Sequence, residues 1–190
     1  MLVSALGGFV DEIANLFLQA KHWQIFLLLV AAPTVAQVAA PERINDFGTG
    51  GFVLFAVTAV SLLCLLAWFG SMGLFFRSIV TPELRMGTQF FRFSLIYPLV
   101  FLPIFFFPGI LEAVIGPLQV ACTVCLFYLL YFVSRSLVLA ETGKPVSFYE
   151  YAGAFFLLWF FPIGVWFIQP KVNRLYAERN GAGPLTVTTA

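Results

Sequence analysis

The sequence predicts an all-α, polytopic membrane protein, and three observations carry that prediction. Apolar residues make up 61% of 190 residues and charged residues 10%. Mean hydropathy is +0.97. Five charge-free runs recur along the chain, most of them near the ~20 residues that cross a hydrocarbon core. A soluble domain carries about 25% charged residues. Ten basic and nine acidic side chains would leave large apolar patches open to water. A net charge of +1 with a pI near 7.7 supplies no basic field for nucleic acid. Three cysteines form no disulfide framework. A soluble globule, a disordered chain and a nucleic-acid binder are thereby excluded.

The elements follow in order. The first twenty residues are not expected to be a signal peptide, because Asp11-Glu12 interrupts any apolar core and no basic region precedes it. Residues 1–22 are expected to form an interfacial helix. Phe9, Ile13, Leu16, Phe17 and Ala20 recur at helical spacing opposite Asp11, Glu12, Asn15 and Gln19. That pattern predicts an amphipathic helix lying in the membrane interface, with Lys21-His-Trp-Gln24 marking the water boundary. A transmembrane domain over 23–179 is expected next, and a flexible tail over 180–190.

Four full spans are expected at Trp23–Ala40, Phe47–Phe76, Phe93–Leu111 and Ala113–Ser134. The second run is too long to stand straight, so its helix is expected to start near Phe52, after Gly48-Thr-Gly-Gly51. The fifth run, Tyr151–Pro170, is different. Ser147-Phe-Tyr-Glu150 fits a capping box and places a helix start at Phe148. Pro162 and Gly164 then interrupt the segment after about 21 Å, short of a crossing. It either passes a kink and crosses or turns back as a re-entrant segment. Lys21, Arg77, Arg85, Arg92, Arg135 and Lys144 fall on one side in both cases, and Arg43 on the other. Crossing sends Lys171, Arg174 and Arg179 to Arg43, whereas re-entry joins them to the six and gives nine against one. The positive-inside rule favours re-entry and a cytoplasmic N-terminus.

Polar chemistry is sparse. His22 is the sole histidine, so no bis-histidine haem or histidine-rich metal site can form. An interfacial anchor is its expected role. Cys122-Thr-Val-Cys125 sits in an apolar helix without a cation to activate a thiol, and reads as two small packing residues. Neither a cofactor nor a catalytic or metal-binding group is expected. Glu112 lies between Pro108-Gly109 and Gly116-Pro117. It reads as a loop residue in water, against a proton or cation site within the membrane. Pro98, Pro103 and Pro108 interrupt the third run and Pro33 the first. Each removes a backbone donor, and Thr34, Ser94 and Tyr97 are available to satisfy freed carbonyls. The third helix is therefore either bent and packed or broken around an ion site. Ala32, Ala36 and Ala40, and Ala67 with Ser71, form small-residue stripes suited to close packing in a bundle or homo-oligomer.

Lys21-His-Trp-Gln-Ile-Phe-Leu-Leu-Leu29 and Phe160-Phe-Pro-Ile-Gly-Val-Trp-Phe-Ile-Gln-Pro-Lys-Val-Asn173 resemble segments of small bacterial multi-pass membrane proteins of unknown function. Ser136-Leu-Val-Leu-Ala-Glu141 adds to the likeness. The resemblance implies a bacterial cytoplasmic membrane and carries over no activity. The expected function is non-enzymatic: packing with itself or as an accessory subunit of a membrane complex, with lipids and a membrane-protein partner as contacts. The alternative is a small channel or transporter using the proline-rich third helix and Glu112.

Overall fold

The computed structural model describes residues 2–39, 49–106 and 112–181, and among them every regular element is helical. Helix α1 spans Leu2–Gln19. A short α2 (His22–Phe26) runs through a π-helical turn at Leu27–Ala31 into α3 (Ala32–Ala39). Helix α4 covers Thr49–Ile79 and a 3-10 turn covers Pro82–Leu84. Helices α5 (Gln89–Phe106), α6 (Glu112–Thr142), α7 (Phe148–Trp159) and α8 (Phe161–Arg179) complete the chain. Each of the five charge-free runs is helical where it is described, apart from the turn at Phe160 in the fifth. Among the described residues two helices are long and apolar enough to cross a membrane, over Phe52–Ile79 and Val114–Thr142. The apolar stretch of α5 is shorter, and α1 meets the following helix at 111°.

Helix α4 begins at Thr49 rather than near Phe52, because Gly50 and Gly51 continue the helix instead of turning. On α1, Phe17 and Leu18 are buried whereas Leu16 is 65% exposed. The inward face is therefore rotated from the expected stripe by about one residue, since Leu18 rather than Leu16 meets α4. Pro98 and Pro103 lie inside an uninterrupted α5 and do not break it. The π turn precedes Pro33: the Ala32 N–H reaches back to the Leu27 carbonyl, and Thr34 Oγ1 donates to the Val30 carbonyl at 2.7 Å. Ser94 does not serve that purpose, because its hydroxyl is buried without a partner. Tyr97 donates across to the Leu118 carbonyl of α6 at 3.2 Å.

The core lies between α4, α5, α6 and the C-terminal helices. The Phe91 and Phe132 rings stack at 4.1 Å, seated on Gly73, where an added Cβ would lie 2.5 Å from the Phe91 ring. Glycine at this position lets α5 approach α4. Helices α7 and α8 form a tight turn at Phe160. The Phe160 N–H closes α7 on Phe156 at 2.9 Å, and the Gly164 N–H bonds the Phe160 carbonyl at 2.8 Å. Gly164 then lies against the backbone of Leu157, where a Cβ would fall 1.6 Å from the carbonyl oxygen. The chain folds back there. Twelve residues make α7 about 18 Å long, and Lys171 lies about 15 Å along α8 from Phe161. Lys171 sits 3.2 Å from Glu141, near the end of α6.

The start of α7 agrees with its sequence signature. Both the N–H and the hydroxyl of Ser147 donate to Glu150 Oε2, the hydroxyl at 2.8 Å. Glu150 precedes the charge-free run, and these bonds hold its carboxyl below the ordinary carboxylate range. A lowered folded-state pKa means the cap is intact above the unfolded carboxylate value and is lost as pH falls through the lowered value. Hydrogen exchange at the Ser147 amide should thus accelerate at acid pH beyond its intrinsic rate, and Glu150→Gln should remove that acid limb. At the turn, Gly164→Ala should cost more than about 3 kcal/mol, because backbone meets backbone and neither can yield. Gly153→Ala on α7, whose Cβ meets nothing, should stabilise by about 0.5–1 kcal/mol. Thermal melts of the two purified variants compare the effects directly.

Candidate functional site

The largest concentration of satisfied polar groups is where α1 ends. The last carbonyls of any helix lack intrahelical partners, and here the chain turns sharply away at Ala20 and Lys21. Gln169, 0% exposed on α8, fills that corner. Its Nε2 lies 2.9 Å from the Phe17 carbonyl, 3.0 Å from the Ala20 carbonyl and 3.0 Å from Asn173 Oδ1. Three acceptors share two hydrogens, so one bond is bifurcated. Its Oε1 accepts from Trp68 Nε1 at 3.0 Å, and Trp68 is also 0% exposed. Asn173 Nδ2 adds a 3.3 Å bond to the Ala20 carbonyl. One amide therefore ties α1, α4 and α8 together.

The corner is flanked on both sides. The Lys21 N–H bonds Gln24 Oε1 at 2.8 Å, starting α2. His22 and Phe26 pack on Trp166 with centroid separations of 4.4 and 6.2 Å. Tyr176, one helical turn beyond Asn173, accepts from Gln19 at 3.2 Å and donates to Asn15 at 3.0 Å. Farther along, Arg174 joins Lys171 on Glu141 at 3.4 Å, and Arg179 donates to the Ser78 hydroxyl. Its guanidinium lies over the Phe75 ring at 5.8 Å.

Beside this corner opens a cavity of about 830 Å³. Its walls are α1, α4, α5 and α8, with Leu66, Gly70, Leu95 and Leu99 along it and Asn15, Tyr176 and Arg179 at one end. A smaller apolar cavity of about 240 Å³ lies between α4, α6 and the α7–α8 turn, reaching Thr123.

The described members of the expected site lie on different elements. Pro162 lies in the first turn of α8 and Gly164 is buried in that same turn, while Pro98 and Pro103 belong to α5. Glu112 opens α6, and its side chain lies outside the described residues, as do Pro108 and the 107–111 connection. Cys64, Cys122 and Cys125 are free thiols. Among the described residues no three His, Cys, Asp or Glu side chains group as metal ligands. Sequence reasoning did not single out Gln169, Trp68 or Gly73. The available signal was Gln169 itself, the one amide side chain in the run from Tyr151 to Pro170.

No family model, curated protein or solved structure matches this chain.

Gln169→Leu removes the partners of Trp68 and of the Phe17 carbonyl at once, leaves the Ala20 carbonyl with Asn173 alone, and should destabilise by about 2–4 kcal/mol. Trp68→Phe leaves only the Gln169 oxygen unpaired and should cost less. Unfolding midpoints of the two variants in mild detergent, compared with the parent, check the order.

Proposed function

We propose that this protein is a non-enzymatic integral membrane protein of a bacterial cytoplasmic membrane, which packs with itself or serves as an accessory subunit of a larger membrane complex. One observation carries this reading. The principal interior polar cluster, around Gln169, is spent on joining helices, with its amide oxygen and nitrogen both occupied by protein groups. A conduction or catalytic path instead needs convergent polar groups left available to a substrate. The unbroken α5 also supports packing over transport, because its backbone stays helical through Pro98 and Pro103 rather than unwinding to ligate an ion. Outward-facing Phe93, Ile96 and Val100 on α5, and Val120 and Val124 on α6, suit contact with lipid or with another membrane helix.

The topology belongs to the same proposal. The four crossing segments of this reading are the charge-free runs 23–40, 52–76, 93–111 and 113–134, and α7–α8 enters and returns. Support comes from Glu141, whose carboxylate holds Lys171 and Arg174 beside the end of α6, and from Ser78, which holds Arg179 beside the end of α4. Exposed ion pairs add less than about 1 kcal/mol each; their value here is positional. With those three cations on the side of Lys21, Arg77 and Arg135, nine of ten basic residues face one compartment, which the positive-inside rule makes the cytoplasm. The amphipathic α1 lies in that cytoplasmic interface, and its 111° corner leads into the first span.

Single cysteines at Ser78 and Thr142, in a cysteine-free background, should resist an impermeant thiol reagent added outside intact cells. A phosphatase fused after Ala190 should be inactive outside the cytoplasm, and activity there would establish a fifth crossing. For the function, mild-detergent extraction from native membranes should yield a homo-oligomer or a stoichiometric membrane-protein partner. Flux through proteoliposomes that disappears in Glu112→Gln would replace the packing role with transport.

A further inference from the structure

We infer that the 830 Å³ cavity is a binding site for one glycerophospholipid with an amine-bearing, zwitterionic headgroup. The inference rests on the membrane placement proposed above and goes beyond the packing role. The first argument is polarity along the cavity's length. Its α4 wall runs from Leu63 to Phe75, twelve residues or about 18 Å, close to half of a ~30 Å hydrocarbon core. The apolar end is Leu63 with Leu99 and Ile96 from α5. The polar end is at Phe75, because Tyr176 packs on the Phe75 ring at 5.6 Å and Arg179 lies over it. An acyl chain one leaflet deep with its headgroup at the water boundary matches that gradient.

The second argument is charge. Arg179 lines the polar end, and its contact with Ser78 uses Nη1, leaving Nη2 to face a phosphate. Asp11 lines the same cavity one helical turn before Asn15, which Tyr176 holds at that end. A cation and a carboxylate lining one cavity complement a phosphate and an ammonium together. A headgroup without an ammonium would leave Asp11 without a counter-charge beside the phosphate that Arg179 faces. The third argument is access. Leu63 (51% exposed), Leu74 (42%) and Ile96 (59%) leave the groove open sideways between α4 and α5, so a lipid can enter from the bilayer.

The test uses the full-length protein extracted in mild detergent, given phosphatidylethanolamine or phosphatidylglycerol and read by native mass spectrometry. One phosphatidylethanolamine per chain should persist. Leu63→Trp and Ile96→Trp fill the groove from exposed positions and should each lower that occupancy about tenfold, whereas Val120→Trp on the outer face of α6 should leave it unchanged. Arg179→Gln should weaken retention of both lipids, and Asp11→Asn should erase the preference for phosphatidylethanolamine. Equal occupancy in all the tryptophan variants, equal loss in Val120→Trp, or tighter retention of phosphatidylglycerol by the parent would overturn the site. Alkaline carbonate extraction of the same variants separates the two levels: release from membranes would count against the membrane reading, and retention without groove-dependent lipid against the site alone.

Discussion

The structure depends on how the end of α1 is closed by a side chain from α8. α1 stops against α4 and α8, and the chain leaves it through a corner, so its last carbonyls must find donors inside the protein. Gln169 supplies them and accepts from Trp68 with its remaining oxygen. An unpaired buried polar group costs about 1–3 kcal/mol, so the four groups meeting here gain their stability jointly. Moving α8 along its axis would strand all of them. The position of α8 is thereby fixed to within a hydrogen bond, and the placement of its basic residues against Glu141 and Ser78 follows.

That constraint explains why two distant stretches of sequence belong together. His22 and Phe26, from the segment that starts Lys21-His-Trp-Gln24, pack on Trp166. Gln169 and Asn173, from the segment that ends Gln169-Pro-Lys-Val-Asn173, bond the Ala20 carbonyl immediately before Lys21. Together the two stretches build one joint. Their shared property is mutual packing and hydrogen bonding, which is a structural role and accounts for polar residues in otherwise apolar runs.

Local features of the fold were legible in the sequence and partnerships were not. The helix start at Phe148, the cap of Ser147 on Glu150 and the break near Pro162 are written in consecutive residues, and each is present. The inward face of α1 was misplaced because Leu16 and Leu18 are equally apolar, and only contact with α4 selects Leu18. Ser94 is available to a freed carbonyl by sequence position, but its side chain is fully buried with the hydroxyl unpartnered. Gly73 carries no local mark that distinguishes it from Gly70; its need arises from the Phe91 ring laid across it. Candidate site residues chosen for proline or charge missed the Gln169 corner for the same reason. An amide's role is set by what meets it, and its partners here lie about 100 and 150 residues away in sequence.

The contrasting fates of the prolines show how much depends on a neighbour. Pro98 removes one donor from the interior of α5, and the helix continues because the turns on either side remain bonded and packed between α4 and α6. Pro162 sits at the start of α8, where its missing N–H is one that any helix leaves unpaired. Proline there ends one helix and begins another at little cost, but it does not by itself decide the direction of the second. Gly164 decides it. Without a Cβ, its backbone lies against the Leu157 carbonyl, and the chain can close to an angle that brings Lys171 back to Glu141. Any larger residue would hold the two helices apart at their crossing. α8 would then open away from α7, and Gln169 would be drawn out of the corner it closes.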